Sequence, residues 1–259
     1  MGLSRMTGGW KYAAASVIGT SHLSSPNGIC QDAHCCVYDS DADRLVCVVS
    51  DGAGSASRSE RGSRLACDLV CDLVSKGDAD TVHTKRFALE TLETIRTTIL
   101  NEAVQENLRV REFACTLLVA LVNRDRTTFW QIGDGAICFR LPSEDSFRFV
   151  FWPSKGEYAN VTYFLTDENA PDELEFDSLE SSLADVAVFS DGLERLALDF
   201  NAGEAHTKFF AGFFPYLYRE SAGHLIEIEQ KLTDFLGSER INSKTDDDKT
   251  LVLATVESR

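Results

Sequence analysis

The sequence predicts an α+β fold in which two β-sheets pack on each other with helices outside. Three observations carry this. Two short apolar runs each end in Ser-Asp-Gly, amphipathic helical stretches lie between them and after them, and a middle region of short strands is divided by turn signals.

Residues 12–19 form the first expected strand, followed by a Ser/Pro/Asn/Gly loop that ends at Cys30-Gln31-Asp32. Residues 35–38 and 45–49, joined by the acidic turn 39–43, read as a hairpin. The run 45–49, LVCVV, is continuous and rich in β-branched residues, the pattern of a strand buried on both faces. Ser50-Asp51-Gly52 breaks it at once and delivers a carboxylate to the lip of a core strand. Gly52, Ala53, Gly54 and Ser55 are small enough for the backbone to approach a ligand closely.

From 58 to 75, Leu65, Ala66, Leu69, Val70, Leu73 and Val74 recur at helical spacing, with Ser57 or Ser59 available as a cap. Leu92, Ile95, Ile99 and Ala103 mark a second, longer helix. Strands are expected at 115–122, 127–132, 136–141, 147–151 and 161–165, and short sequential strands of this kind pair antiparallel. The second Ser-Asp-Gly run is 186–192, VAVFSDG. Helical spacing returns at Leu225, Ile228, Leu232, Phe235 and Leu236, and a last strand at 251–256 follows Thr245-Asp246-Asp247-Asp248-Lys249-Thr250. No low-complexity linker or fixed-period repeat divides the chain, so one domain over 1–259 is expected.

With 25 Lys+Arg against 41 Asp+Glu, the net charge of -16 excludes a nucleic-acid backbone or an anionic membrane surface as the main partner. No apolar run approaches the roughly 18 residues of a membrane span. The start of the chain lacks the long apolar core of a secretory signal. Eight cysteines, at 30, 35, 36, 47, 67, 71, 115 and 138, include no C-x-x-C pair, and several sit inside apolar runs. They are expected as unpaired thiols in a reducing cytoplasm.

Asp51, Asp134, Asp191 and Asp246 to Asp248 sit at strand ends or tight turns, with Asp32 beside a further strand start. Taken singly, each Asp-Gly is an ordinary turn dipeptide. Taken together, oxygen donors without histidine or thiolate neighbours suit Mg²⁺ or Mn²⁺ rather than zinc or copper. Two such ions can clamp a phosphoryl group and activate water for in-line attack, and no side-chain nucleophile is then required. This agrees with the absence of a G-x-S-x-G elbow, a phosphatase-type cysteine loop and a nucleotide P-loop.

The ordered set Gln31-Asp32, Ser50-Asp51-Gly52-Ala53-Gly54, Ala114-Cys115-Thr116, Gly133-Asp134-Gly135, Ser190-Asp191-Gly192-Leu193 and Asp247-Asp248-Lys249-Thr250 resembles the metal-dependent, type 2C family of protein serine/threonine phosphatases. The likeness spans about residues 19–256 and is strongest to short bacterial members, through GTSH, CQDA, DGAGS, FACT, QIGDG, GEYAN and TDDDKTL. It implies a four-layer sandwich, two mainly antiparallel sheets between helices on both sides, with a binuclear Mn²⁺ or Mg²⁺ centre at one edge. By motif, Asp51 would bridge the two metals and Gly52 would offer its carbonyl to one. Asp191 and Asp247 would complete the other, and Asp32 would act directly or through water on the Gly52 side. Asp134, with Asp191, matches the place where many bacterial members hold a third, weaker metal. Thr116 and Asp248 would be supporting residues.

Two departures stand out. Many eukaryotic members carry His after the first Asp-Gly and Arg shortly before the acidic pair; here those places hold Ala53 and a loop containing Asn27. His22, Arg58 and Arg61 are the basic groups placed to reach a phosphate. Residues 152–180 occupy the place of the family's flap over the site. The implied activity is hydrolysis of phosphoserine and phosphothreonine in proteins, with a bacterial serine/threonine kinase and its targets as partners. A catalytically silent phosphoprotein-binding module and a hydrolase of small phosphoesters are the alternatives on sequence alone.

Overall fold

The computed structural model describes residues 9–23, 28–153 and 162–256. In chain order the main elements are β1 (Trp10–Val17), β2 (Ala33–Asp39), β3 (Arg44–Ser50), α1 (Ser59–Lys76), α2 (Lys85–Gln105), β4 (Leu117–Val122), β5 (Thr127–Ile132), β6 (Ala136–Arg140), β7 (Arg148–Phe149), β8 (Glu175–Leu179), β9 (Asp185–Phe189), β10 (Gly223–His224), α3 (Ile226–Leu236) and β11 (Lys249–Val256). One sheet has the order β10-β1-β11-β9-β6-β7 and the other β2-β3-β4-β5-β8. Every pairing within them is antiparallel except the short contact of β1 with β10.

The period-2 alternation of a strand explains why the layers number four. In β3, Leu45, Cys47 and Val49 face the opposite sheet, meeting residues such as Val188 and Val252, while Val46 and Val48 face α1 and α2. β11 alternates in the same way. Val252 and Ala254 enter the core between the sheets, and Leu251 and Leu253 pack under α3 and residues 207–217. A strand covered on both sides needs an unbroken apolar run, which is what 45–49 and 186–189 supply.

Several expected elements differ. The strand expected at 161–165 is absent among the described residues of that stretch. The fifth strand of its sheet is β8 instead, paired with Thr127–Gln131 of β5. Its EFDSL sequence lacks a core strand's apolar run because it lies on the sheet edge. The stretch 147–151 shrinks to Arg148–Phe149, with Phe147 and Phe149 turned into aromatic contacts with Phe210 and Trp152. Neither Ser57 nor Ser59 caps α1. Its N-cap is Arg58 without a side-chain bond, and Ser57 is held by Glu112. Thr84 does cap α2, accepting from the Phe87 amide.

All eight cysteines are unpaired; Cys47, Cys67, Cys115 and Cys138 are buried. No helix among the described residues is long and apolar enough to cross a membrane. Asn27 and the GEYAN motif at 156–160 lie outside the described residues.

Candidate metal centre

Antiparallel order brings the acidic motifs to one edge of the sandwich. β3 and β9 end there, at Ser50-Asp51 and Ser190-Asp191, while β2, β6 and β11 begin there, after Asp32, Asp134 and Asp247-Asp248. The Asp51 and Asp191 carboxyls meet across the two sheets, and Asp32, Asp191 and Asp247 all lie close enough to raise the pKa of Asp51. Asp134 and Asp247 act on Asp191 in the same way. The structure thus brings together the five carboxylates that the sequence singles out.

Asp51, Asp32 and Asp134 are held from behind, as is the neighbouring Asp248. The Asp51 amide donates to Thr116 Oγ1 at 2.9 Å, the Thr116 amide returns a bond to the Asp51 carbonyl, and Ser50 Oγ donates to the Thr116 carbonyl. Ser190 Oγ donates to Asp32 Oδ2 at 2.7 Å and accepts from the Thr250 amide. Asp248 is a clamp: Oδ1 accepts from the Gly19 amide at 2.6 Å and contacts His22 Nδ1 at 3.0 Å, while Oδ2 accepts from the Gln31 amide at 2.6 Å. Thr162 Oγ1 donates to Asp134 Oδ2 at 2.6 Å.

The Asp247-Asp248 turn is seated by close backbone approach. A Cβ on Gly192 would sit 2.0 Å from the Asp248 carbonyl oxygen, and one on Gly19 would sit 2.3 Å from the Asp247 carbonyl carbon. The tight fit at Gly19 also explains why β1 stops at Val17 rather than running on to 19.

Burial, aided by the mutual charge of the group, makes these carboxyls hard to ionise. Burial is the main cause for Asp32, which is pushed up to about 7 against the bonds from Ser190 and Thr250. Burial likewise lifts Asp191 to about 6 and holds Asp51 well above the usual range, and it raises Asp247. Asp32 Oδ1 and Asp191 Oδ1 are buried with no hydrogen-bond partner. Orphaned anionic oxygens of this kind are costly unless a cation joins them. The residues therefore fit divalent metal, and an all-oxygen donor set fits Mg²⁺ or Mn²⁺. Among the described residues no three acidic, histidine or cysteine side chains close on a single point. An ion held here would therefore need water or backbone oxygens to complete its shell.

The basic groups divide. Arg58 and Arg61 do not reach toward the carboxylates. Arg58 pairs with Glu106 at 2.7 Å and Arg61 with Glu102, so both tie α1 to α2. A helix N-terminus gives cations no electrostatic reason to stay, and acidic partners on the neighbouring helix draw them aside. Since both arginines are about half exposed, these ion pairs are screened. Arg58→Ala and Arg61→Ala should each cost less than about 1 kcal/mol of stability in denaturant titration. They should change phosphatase kcat/KM less than threefold; a tenfold rise in KM would restore them to the phosphate site.

His22 stays. It lies in the one-turn helix Thr20–Leu23, its Nδ1 fixed on Asp248, with Nε2 3.9 Å from where a Gly54 Cβ would be.

Sequence reasoning passed over Ser50, Ser190 and Thr250, the groups that orient the carboxylates, although the repeated Ser before Asp-Gly was the available signal. It also passed over Lys249, whose buried ammonium donates to Asn242 Oδ1 at 2.8 Å and feels the attraction of Asp248, Asp247 and Asp32. Phe164, packed on Ala53, Ala56 and Ala114 beside the glycine loop, carried no sequence signal.

Comparison with known proteins identifies the family and the fold. A family model described as Protein phosphatase 2C matches residues 18–237. The chain is 37% identical over 252 residues to serine/threonine-protein phosphatase 3 of Escherichia coli (strain K12), covering 95% of this chain and 98% of that one. Among solved structures, serine/threonine phosphatase Stp1 from Staphylococcus aureus aligns with a TM-score of 0.64 at 15% identity, covering 95% of each chain. The catalytic domain of the serine/threonine protein phosphatase PstP, solved with two manganese ions, aligns with a TM-score of 0.64 at 15% identity over 96% of this chain and 99% of that one. The chain belongs to the protein phosphatase 2C family.

Proposed function

We propose that Asp51, Asp191 and Asp247, with the Gly52 carbonyl and with Asp32 behind it, hold the Mn²⁺ or Mg²⁺ ions with which this protein phosphatase hydrolyses phosphoserine and phosphothreonine esters. The observation that carries the assignment is the meeting of Asp51 and Asp191 from opposite sheets, with unpartnered oxygens on Asp32 and Asp191. When bound, such ions supply Lewis acidity toward phosphoryl oxygens and toward attacking water. Asp134, beside Asp191 and bonded to Thr162, is the candidate for a third, weaker ion.

The remaining residues position these groups. Thr116, Ser190 and Asp248 fix the strand ends, so little reorganisation is needed when substrate arrives. His22, oriented by Asp248, presents Nε2 toward the glycine loop and contacts the substrate phosphate. Within the stretch 152–180, where the family's flap is expected, residues 154–161 lie outside the described residues and 175–179 belong to β8, while the segment 164–167 is seated at the site. Phe164 packs on Ala53, the Leu165 amide bonds the Cys115 carbonyl, and Arg96 of α2 donates to the carbonyls of Leu165 and Asp167. We further propose one domain over 1–259, cytoplasmic work consistent with eight free thiols, and substrates phosphorylated by a serine/threonine kinase of the same cell.

The test compares manganese-dependent phosphate release from a phosphothreonine peptide and from an aryl phosphate. Turnover of both should vanish with chelator. Serine and threonine alkoxides leave only when protonated, whereas nitrophenolate needs almost no proton. A phosphate-contacting His22 therefore predicts that His22→Ala raises KM for both substrates by about tenfold with a smaller change in kcat. A selective loss of peptide kcat would make His22 the proton donor instead. Turnover of aryl phosphate alone, with none on the peptide, would favour a hydrolase of small phosphoesters.

A further inference from the structure

On the outer face of the β1-β11-β9 sheet, between α3 and residues 207–217, lies a cleft of about 530 Å³. One wall is a face of α3, where Ile228, Lys231, Leu232 and Phe235 recur at helical spacing. The other is aromatic, with Phe213, whose ring lies 5.2 Å from that of Phe235, and Tyr216, 55% exposed at the mouth. Because α3 has 11 residues, the wall runs roughly 16 Å, the length of a polypeptide segment rather than of a point contact.

The charges around it run against the whole chain. Acidic residues outnumber basic ones 41 to 25 in the sequence, yet the lining holds Lys208, Lys231 and Arg240 and no carboxylate. Among the described residues no hydrogen bond or ion pair engages these three side chains, and all are exposed. They stand on three elements: Lys208 on the one-turn helix Thr207–Phe210, Lys231 within α3, and Arg240 on the one-turn helix Glu239–Asn242 beyond its end. One anionic group cannot neutralise cations spread in this way, whereas carboxylates strung along a chain can. The net charge of -16 repels such a string elsewhere on the surface, so this patch is where it settles. The residues outside the described ones cannot supply it, since Glu157 and Glu257 are their only acids.

We propose that this cleft docks an acidic segment of a phosphoprotein substrate, its bulky apolar side chains among the aromatic rings and its carboxylates on Lys208, Lys231 and Arg240. This role rests on the phosphatase reading, because the dock serves the metal edge from a distance. Leu253, on the cleft floor, stands six residues along the chain from Asp247, roughly 20 Å at strand rise. A docked segment raises the local concentration of its own phosphorylated residue, which lowers KM and leaves kcat unchanged.

The test uses the full chain with manganese and a fluorescein-labelled peptide that carries Phe and Leu at helical spacing and Glu at the remaining positions. By anisotropy it should bind one to one, at least tenfold more tightly than the same peptide with Lys in place of every Glu. Joined to a phosphothreonine sequence by a Gly/Ser linker of about twenty residues, which spans roughly 25 Å, it should lower KM at least fivefold against the phosphothreonine sequence alone, with kcat unchanged. Combined Lys208→Glu, Lys231→Glu and Arg240→Glu should weaken binding at least tenfold and erase the gain from tethering, while turnover of the untethered sequence stays within twofold. Equal binding of the two peptides, no saturable binding, or undiminished binding by the charge-reversed protein would overturn the proposal. So would a wild-type dimer that charge reversal converts to monomer, since a second copy would then fill the cleft. Binding read without turnover separates the two readings. A protein inert toward every phosphothreonine sequence contradicts the phosphatase assignment, whereas tight binding with no gain from tethering contradicts the docking role. If circular dichroism shows the combined variant unfolded, the three single alanine variants decide: each should bind the acidic peptide at least threefold more weakly, and unchanged binding in all three would overturn the assignment.

Discussion

Asp51→Ala and Asp191→Ala should each lower kcat/KM on a phosphothreonine peptide by about 10³-fold or more, a loss of roughly 4 kcal/mol of transition-state stabilisation. The two carboxyls come from the ends of β3 and β9 in different sheets and meet at one edge, so removing either opens the centre from one side. The fold should survive both changes. Neither side chain belongs to the apolar layers, and the backbone at Asp51 is fixed by Thr116 rather than by its own carboxylate. Circular dichroism alongside kinetics checks this, and retention of more than about a tenth of wild-type activity by either variant would remove that residue from the centre. Thr116→Ala, which takes away the support and leaves the carboxylate, should cost less, on the order of 10–100-fold.

The metal-stripped protein should lose stability as pH rises through the neutral range, the reverse of ordinary acid unfolding. Burial lifts Asp32 to about 7 and Asp191 to about 6, whereas both belong near 3.8 in the unfolded chain. Between those values the native state binds more protons than the unfolded state, so stability falls with pH. The contribution is complete below about 3.8 and is lost as pH passes 6 and then 7. In chelator, calorimetry should give a lower Tm at pH 8 than at pH 5, and saturating Mn²⁺ should erase or invert that order by binding the ionised carboxylates. Asp191→Asn should flatten the slope in chelator and stabilise the stripped protein at pH 8 by roughly 1–3 kcal/mol, while weakening the response to Mn²⁺. A site kept for function at a cost in stability behaves in this way. A stripped protein as stable at pH 8 as at pH 5, with Asp191→Asn no better, would mean that the carboxylates do not crowd one another.

How much of this was legible in the sequence depended on whether a residue's role shows in its neighbours along the chain. The strands 45–49 and 186–189 were legible because burial on both faces demands an uninterrupted apolar run, and the Asp that ends each run marks the site. The helices over 59–76 and 226–236 were legible through their spacing. β8 was not, because an edge strand needs no apolar face and its Glu175 and Asp177 read as a solvated loop. Arg58 and Arg61 misled for a related reason. Position just after the glycine loop suggested phosphate, while the partners that draw them away, Glu102 in α2 and Glu106 just past its end, lie more than forty residues on. His22 could be located by motif, but that it is oriented by Asp248 requires the fold, since 226 residues separate them.

The central claim is that carboxylates from two sheets form one divalent-metal centre. Equilibrium dialysis of Mn²⁺ against the stripped protein tests it most directly. The account predicts at least two ions per chain for the wild type, and loss of at least one from both Asp51→Asn and Asp191→Asn while Asp134→Asn keeps two. Fewer than two ions bound by the wild type, or unchanged binding by Asp51→Asn and Asp191→Asn, would contradict it.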